Sequence, residues 1–444
     1  MIAPARTAAY NVLRVVGSGK MDLASALARE RTRLPDERDR ALAGEIATGT
    51  LRWQGAFDHI IANFAGRPLR KLDAEVVDIL RLTIFQLLHL DRVPASAAVK
   101  DAVDMAGKAG KRSAAGLVNA VLRRVARERD KLPLPPRPSR AAALRRHDRV
   151  AALSYLSITL SHPEWLVARW LDRYGFSETE AWAQFDNAPA ALVLRTNRLR
   201  VTRKDLAQRL ASEGIETFPT ERAPDGLVVR HGNPVGTRLH EDGLFFIQDE
   251  ASQLVGHFAG ASPGERILDA CASPGGKTMI MAGAVGDQGA VVASDVRARR
   301  VDLLADTVRR SGAGNIRVVQ ADAGAELPFL ERFDRVLLDA PCSGLGTIRR
   351  DPDIKWRRSE EELAALAAGQ LAMLERVAAT VADGGHLVYS TCSSEPEENE
   401  LVVADFLRRH PEFRPAAEPF RTLPFRDRLE AFFAAMLVKT KDLR

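Results

Sequence analysis

The sequence predicts an α/β protein, a Rossmann-like domain with a doubly wound, mostly parallel sheet, preceded by an all-α domain and a small α+β module. Three observations carry this expectation. Strand and helix patterns alternate from Arg266 onward, apolar residues recur at helical spacing through the front of the chain, and a proline-rich break follows that front.

Residues 1–135 are assigned to the helical domain, where Val76, Ile79, Leu80, Thr83, Ile84, Leu87 and Leu88 keep one face of a helix apolar. Pro35 and Pro94 fall where helices begin, with Asp36 and Glu37 in the first opening turn, and Gly17, Gly66 and Gly110 sit in connections. Six or seven short helices fit this length. Lys131–Pro138, KLPLPPRP, has four prolines and cannot continue a helix, so a linker is assigned to 136–160. Residues 161–245 read as the small module, with a helical stretch at Trp165–Tyr174 and strand-like runs at Ala191–Thr196 and Leu227–Arg230. In the last domain, 246–444, the succession is RILDA, a helix, VVASD, a helix, IRVVQAD, FDRVLLDA, a helix from Ser359 to Val381, and HLVYSTCS.

The 444 residues are 46% hydrophobic, with no long uncharged apolar run and no secretory leader pattern, so a cytoplasmic protein off the membrane is expected. Cys271, Cys342 and Cys392 are the three cysteines, too few and too widely spaced for a disulfide framework. Residues 1–150 carry 28 Lys or Arg against 16 Asp or Glu, and the remainder carries 36 against 42. A basic front on a slightly acidic back suggests that one part grips a polyanion.

Ligands of such sheets sit outside the carboxyl ends of the strands. Those ends are Cys271 to Lys277, Asp295, Asp322, Asp339 to Cys342, and Thr391 to Cys392, so all three cysteines fall on one edge. DACASPGGKT opens a helix whose free N–H groups can hold an anionic or carboxylate-bearing cofactor, but it lacks the Walker A and G-x-G-x-x-G patterns. Asp295 stands where an acidic residue takes a ribose hydroxyl pair, and Asp322 where the adenine would lie. One such aspartate is as readily a helix cap; three at successive strand ends point to a nucleoside cofactor. Cys342 and Cys392 both remain candidate nucleophiles on this reading. No His/Cys cluster has metal-ligand spacing.

DACASPGGKT, DAPCSGLGTIRRDPDIKW and YSTCSSEPEENE together resemble, in order, the motifs of the RsmB/Sun family of RNA cytosine-C5 methyltransferases. The segment ILRLTIFQLLHLDRVPASAAVKDAVDMAGKAGKRSAAGLVNAVLRRV is similar to the NusB-type RNA-binding domain ahead of the catalytic domain in bacterial members. The resemblance implies S-adenosylmethionine as cofactor, held by Cys271, Ala272, Ser273, Pro274, Gly275, Gly276 and Lys277 with Asp295, Asp322 and Asp339. It implies Cys392 as the nucleophile that adds to C6 of a cytosine, Cys342 in product release and C5 proton removal, and Asp339 orienting the base at its N3 and N4 edge. Small-subunit (16S) ribosomal RNA, free or partly assembled, is the implied partner of a monomeric enzyme; transfer RNA, or a noncatalytic RNA-binding assembly or antitermination role, are the alternatives. The chain departs from the family's DGFF-like turn before the last strand, reading LEAFFAAMLVK over Leu429–Lys439, which leaves the C-terminal hairpin open.

The substrate cytosine must be unstacked to expose C6. Lys108–Arg149 carries 13 Lys or Arg against three acidic residues, and Lys108, Lys111, Arg112, Arg123, Arg124 and Arg127 are the expected RNA contacts there. Arg350 and Lys355, after the PCS loop, are added to them, and Trp356 between cations is either a stacking platform or a core residue.

Overall fold

The computed structural model describes residues 2–139 and 149–440. Residues 140–148 of the expected linker, with Arg140, Arg145 and Arg146 of the basic stretch, lie outside the described residues. The chain divides into two compact units, Met1–Pro189 with Ile348–Glu360, and Ala190–Thr347 with Glu361–Arg444.

The first unit opens with α-helices at Pro4–Gly17, Leu23–Arg31, Glu37–Arg52, Gln54–Ala65, Ala74–His89, Ala95–Lys108 and Ala115–Arg127. Local chemistry sets their starts. The Asp36 carboxylate accepts from the Arg38 N–H at the third helix, and Asp22 caps the second in the same way. Ala74–His89 buries residues all round, from Val76 and Ile79 to Ile84 and Leu87, which makes it the axis on which the other helices pack their apolar stripes. Its buried Gln86 side chain accepts from Arg6 Nε at 2.6 Å, and Arg6 pairs with Asp101, so the buried charge is matched. Helices Glu164–Tyr174 and Phe176–Asn187 also belong to this unit, with Trp170 and Trp182 stacked at 4.3 Å.

The second unit holds two sheets. β1 (Leu192–Thr196), β2 (Glu216–Pro219), β3 (Gly226–His231) and β4 (Phe245–Ile247) form an antiparallel sheet in the order β2-β3-β1-β4. The large sheet comprises β5 (Arg266–Asp269), β6 (Ala290–Asp295), β7 (Ile316–Gln320), β8 (Phe333–Asp339), β9 (Val381–Thr391), β10 (Phe413–Pro415), β11 (Phe420–Thr422) and β12 (Phe432–Lys439). Its order is β10-β12-β9-β8-β5-β6-β7, with β11 on β12. Neighbours from β9 to β7 run parallel and β12 is antiparallel to β9. The chain builds outward from β5 through β6 to β7, then restarts at β8 on the other side of β5. The carboxyl ends of β5 and β8 therefore flank the switch point, where such sheets open a crevice.

Two details differ from expectation. The helix expected over Ser359–Val381 runs Glu362–Ala378, because Val381 is already paired with Phe333 as the first residue of β9. The altered LEAFFAAMLVK segment forms its hairpin strand nonetheless: β12 pairs Phe433 with Thr391 and Ala434 with Ser390, and Ala431 N–H donates to the Gly346 carbonyl at 2.9 Å. Backbone pairing and apolar side chains satisfy that position without the family's turn sequence.

Candidate active site

The strand β5 delivers Asp269 and the loop Cys271–Lys277 to the crevice. Gly275, at φ +103°, turns the chain into the helix Gly276–Val285, and a Cβ on Gly276 would lie 2.8 Å from the Gln248 side chain. The glycine pair thus lets the helix N-terminus present its N–H groups to a cavity of about 280 Å³. Asp269, Cys271, Ala272, Ser273, Pro274, Gly276, Lys277 and Asp339 share its lining with Gln248 and Phe246.

Lys277 is the cation of the site. Its Nζ lies 2.5 Å from Asp339 Oδ2, and Ser390 Oγ donates to Asp339 Oδ1 at 2.7 Å. Burial works against the ammonium, but the Asp339 carboxylate, together with the Cys392 and Asp269 side chains, holds its pKa above the ordinary lysine value. Asp269 is wholly buried and bonded by Thr278 Oγ1 at 2.7 Å; burial pushes it up to about 7. The Cys271 thiol is raised by burial and by three surrounding carboxylates, which makes it a poor nucleophile.

Cys342 and Cys392 meet at 3.3 Å between sulfurs, both as free thiols. The hydrogen bond to Cys392, then burial, drives the Cys342 pKa well up, so Cys342 is the sulfur that keeps its proton. Cys392 lies at the end of β9 and Cys342 beyond β8, and Gly346 closes the two loops together by donating to the Cys392 carbonyl at 2.9 Å.

Asp295 lies 3% exposed at the end of β6, and its Oδ2 accepts no hydrogen bond; the Arg300 guanidinium is 3.7 Å away. A buried acceptor without a donor fits a ribose hydroxyl. Asp322 is exposed after β7, where its carboxylate accepts from the Gly324 N–H at 2.8 Å. Loop, orphaned acceptor and helix N-terminus together suit a cofactor carrying a ribose and a carboxylate. No group of three metal-ligating side chains that could hold a metal ion occurs among the described residues, and no helix there is long and apolar enough to cross a membrane.

Of the expected RNA contacts, Lys108, Arg112, Arg123, Arg124 and Arg127 are exposed. Lys111 is ion-paired with Asp73 at 3.0 Å, and Arg124 and Arg127 with Glu128. Arg350 is half-buried. The expectation for Lys355 is overturned. It is 1% exposed, and its ammonium donates to the carbonyls of Arg52 and Ser161 and to Asn187 Oδ1. Burial pushes its pKa down to about 7. Trp356 beside it is a packing residue, its Nε1 donating to the Leu51 carbonyl at 2.6 Å. Lys355→Ala is expected to cost about 2–4 kcal/mol in urea unfolding, since three acceptors lose their donor, while the salt dependence of RNA binding stays unchanged.

Sequence reasoning missed Glu398, Gln370 and Gln248. Glu398 is fully buried behind the cysteine loops, and only its place in the acidic run EPEEN could have drawn attention to it.

Most of the chain is similar to known protein families. Residues 260–438 match the model of the 16S rRNA methyltransferase RsmB/F family, residues 3–127 the NusB family, and residues 162–236 the RsmF/B-like ferredoxin-like domain. The probable ribosomal RNA small subunit methyltransferase B of Bacillus subtilis is 36% identical over 390 residues, covering 87% of this chain and 84% of that protein. The ribosomal RNA small subunit methyltransferase B of Pseudomonas putida is 36% identical over 409 residues, 91% and 89% of the two chains. Among solved structures, that of PH0851 superposes with a TM-score of 0.82 at 26% identity, covering 99% of both chains.

Proposed function

The chain belongs to the RsmB family of small-subunit ribosomal RNA methyltransferases, and from that membership we propose that it methylates C5 of one cytosine in 16S ribosomal RNA through a covalent bond between Cys392 and C6. The observation that supports this best is the pair of free thiols 3.3 Å apart, with Cys392 near enough to the Lys277 ammonium to bear on its charge.

Cytosine C5 is too weak a nucleophile to take a methyl group unaided. Addition of the Cys392 thiolate to C6 forms the S–C6 bond and moves the C5–C6 π pair onto C5. The proton kept on Cys342 is available as a hydrogen-bond donor to the attacking sulfur 3.3 Å away. Asp339 accepts from the exocyclic amine and holds the ring while charge builds on it. S-adenosylmethionine supplies an electrophilic methyl group, and Cys271–Lys277, Asp295, Asp322 and Asp339 would hold it. Once Cys392 is bonded to carbon, the hydrogen bond between the two sulfurs that raises Cys342 is lost, and Cys342 can lose its proton to solvent. Its thiolate then takes the C5 proton, the C5–C6 double bond reforms, the S–C6 bond breaks, and Cys392 leaves as the thiolate. Lys108, Arg112, Arg123, Arg124 and Arg127 are exposed cations offered to the RNA backbone.

Asp295→Ala is expected to weaken S-adenosylhomocysteine binding about 10–100-fold by calorimetry, the loss of a hydrogen bond to a charged group. The reading itself is tested by incubating the protein with labelled S-adenosylmethionine and small-subunit ribosomal RNA from cells lacking the enzyme, with transfer RNA in parallel. Label as 5-methylcytosine at one ribosomal position supports it; label only in transfer RNA, or at another atom, overturns it.

A further inference from the structure

We propose that Glu398 is a positioning residue that sets the separation of the two reactive cysteines; this rests on the two-cysteine mechanism above. Glu398 closes the short 3-10 turn Pro396–Glu398 and is 0% exposed. Its Oε1 accepts from the Ser343 N–H at 2.8 Å and from Gln370 Nε2 at 2.9 Å, and its Oε2 accepts from the hydroxyls of Ser343 and Ser393, each at 2.5 Å. Ser343 directly follows Cys342, and Ser393 directly follows Cys392. One carboxylate therefore ties together the two loops that carry the thiols, and the serine hydroxyls it draws in stand 3.1 Å apart.

The tie is anchored from behind. Gln370, on the helix Glu362–Ala378, also donates to the Pro341 carbonyl at 3.0 Å, and Tyr389 OH donates to the Glu398 carbonyl at 2.5 Å and to Gln370 Oε1 at 3.2 Å. A carboxylate out of reach of water is costly, and apolar side chains fill such space at least as well when only packing is needed. Three of the four donors on Glu398 instead belong to the residues that directly follow the two cysteines. Attack at C6 and proton removal at C5 act on adjacent ring atoms, so the thiols must stay close through the whole reaction, and this node is what keeps them so.

The test needs a ruler as well as an activity. Diamide, a thiol oxidant, takes two electrons and two protons from a close thiol pair, is reduced to its hydrazine and leaves a disulfide. The rate of the Cys342–Cys392 crosslink, mapped by mass spectrometry on the full chain, therefore reports their separation without substrate. Glu398→Ala is expected to slow crosslinking about tenfold. It should lower methylation at saturating RNA about 100-fold while the RNA KM stays within about threefold. Glu398→Gln should rescue both to within about fivefold, because its amide oxygen still accepts from Ser343 and Gln370 while its N–H groups meet hydroxyls that can rotate to accept.

Wild-type crosslinking and turnover in Glu398→Ala overturns the proposal. So does a Glu398→Gln protein as defective as Glu398→Ala, which would make charge rather than reach the requirement. If Glu398→Ala does not fold, Ser393→Ala, which cuts the tie to the Cys392 loop alone, must slow the crosslink, and wild-type crosslinking there overturns the proposal too. Full methylation by a Cys392→Ala protein would remove the mechanism on which the proposal rests, whatever the crosslinking rates.

Discussion

Cys392→Ala is expected to abolish methylation, a loss on the order of 10³-fold or more, and to abolish any protein-linked RNA. The size follows from the chemistry: without a nucleophile at C6, C5 keeps its aromatic reluctance, and no group left in the crevice can replace the sulfur. Cys271 is the only other free thiol besides Cys342, and its burial among carboxylates keeps it protonated. Binding of S-adenosylhomocysteine should persist, because the Cys271–Lys277 loop and Asp295 do not depend on the sulfur of Cys392 for their positions. Single-turnover methylation with label in the cofactor, beside a calorimetric binding measurement, separates the two effects. Retained turnover would show that Cys392 is not the attacking group.

Cys342→Ala is expected to behave in the opposite way. Attack and methyl transfer remain possible, so a first turnover proceeds within about tenfold of the wild-type rate, but removal of the C5 proton loses its base, a step that general acid–base groups typically accelerate 10²–10⁴-fold. The enzyme should therefore accumulate as a denaturation-stable complex with RNA, visible as a slow-migrating band that ribonuclease collapses. The absence of an accumulating complex, with turnover near wild type, would remove Cys342 from product release.

Much of this site was legible because each strand end announces itself. RILDA, VVASD, IRVVQAD, FDRVLLDA and HLVYSTCS are short apolar runs closed by a polar residue, and the topology of a parallel sheet brings such ends to one edge. The order β8-β5 at the switch point, which makes neighbours of Asp339 and the PGGK loop, could not be read from the linear succession. Lys355 was misread for a definite reason. Its helix, Ile354–Arg357, is too short to show a periodicity, and the three acceptors that bury it come from residues 168 to 303 positions away. The same separation hid the place of Ile348–Glu360 in the first unit, although this segment directly follows the PCS loop in sequence. Glu398 was passed over because an acidic run reads as solvated surface unless its donors are known, and besides Ser393 those donors sit on Ser343 and Gln370, 55 and 28 residues earlier.

The central claim is that Cys392, rather than Cys342, bonds to the base. RNA substituted with 5-fluorocytidine tests it directly, because fluorine at C5 cannot leave as a cation and the elimination stops after methyl transfer. Digestion of the trapped complex and mass spectrometry of the peptide that carries the modified nucleotide should place it on Cys392. A nucleotide on the peptide containing Cys342, with Cys392 unmodified, would contradict the account and exchange the roles of the two cysteines.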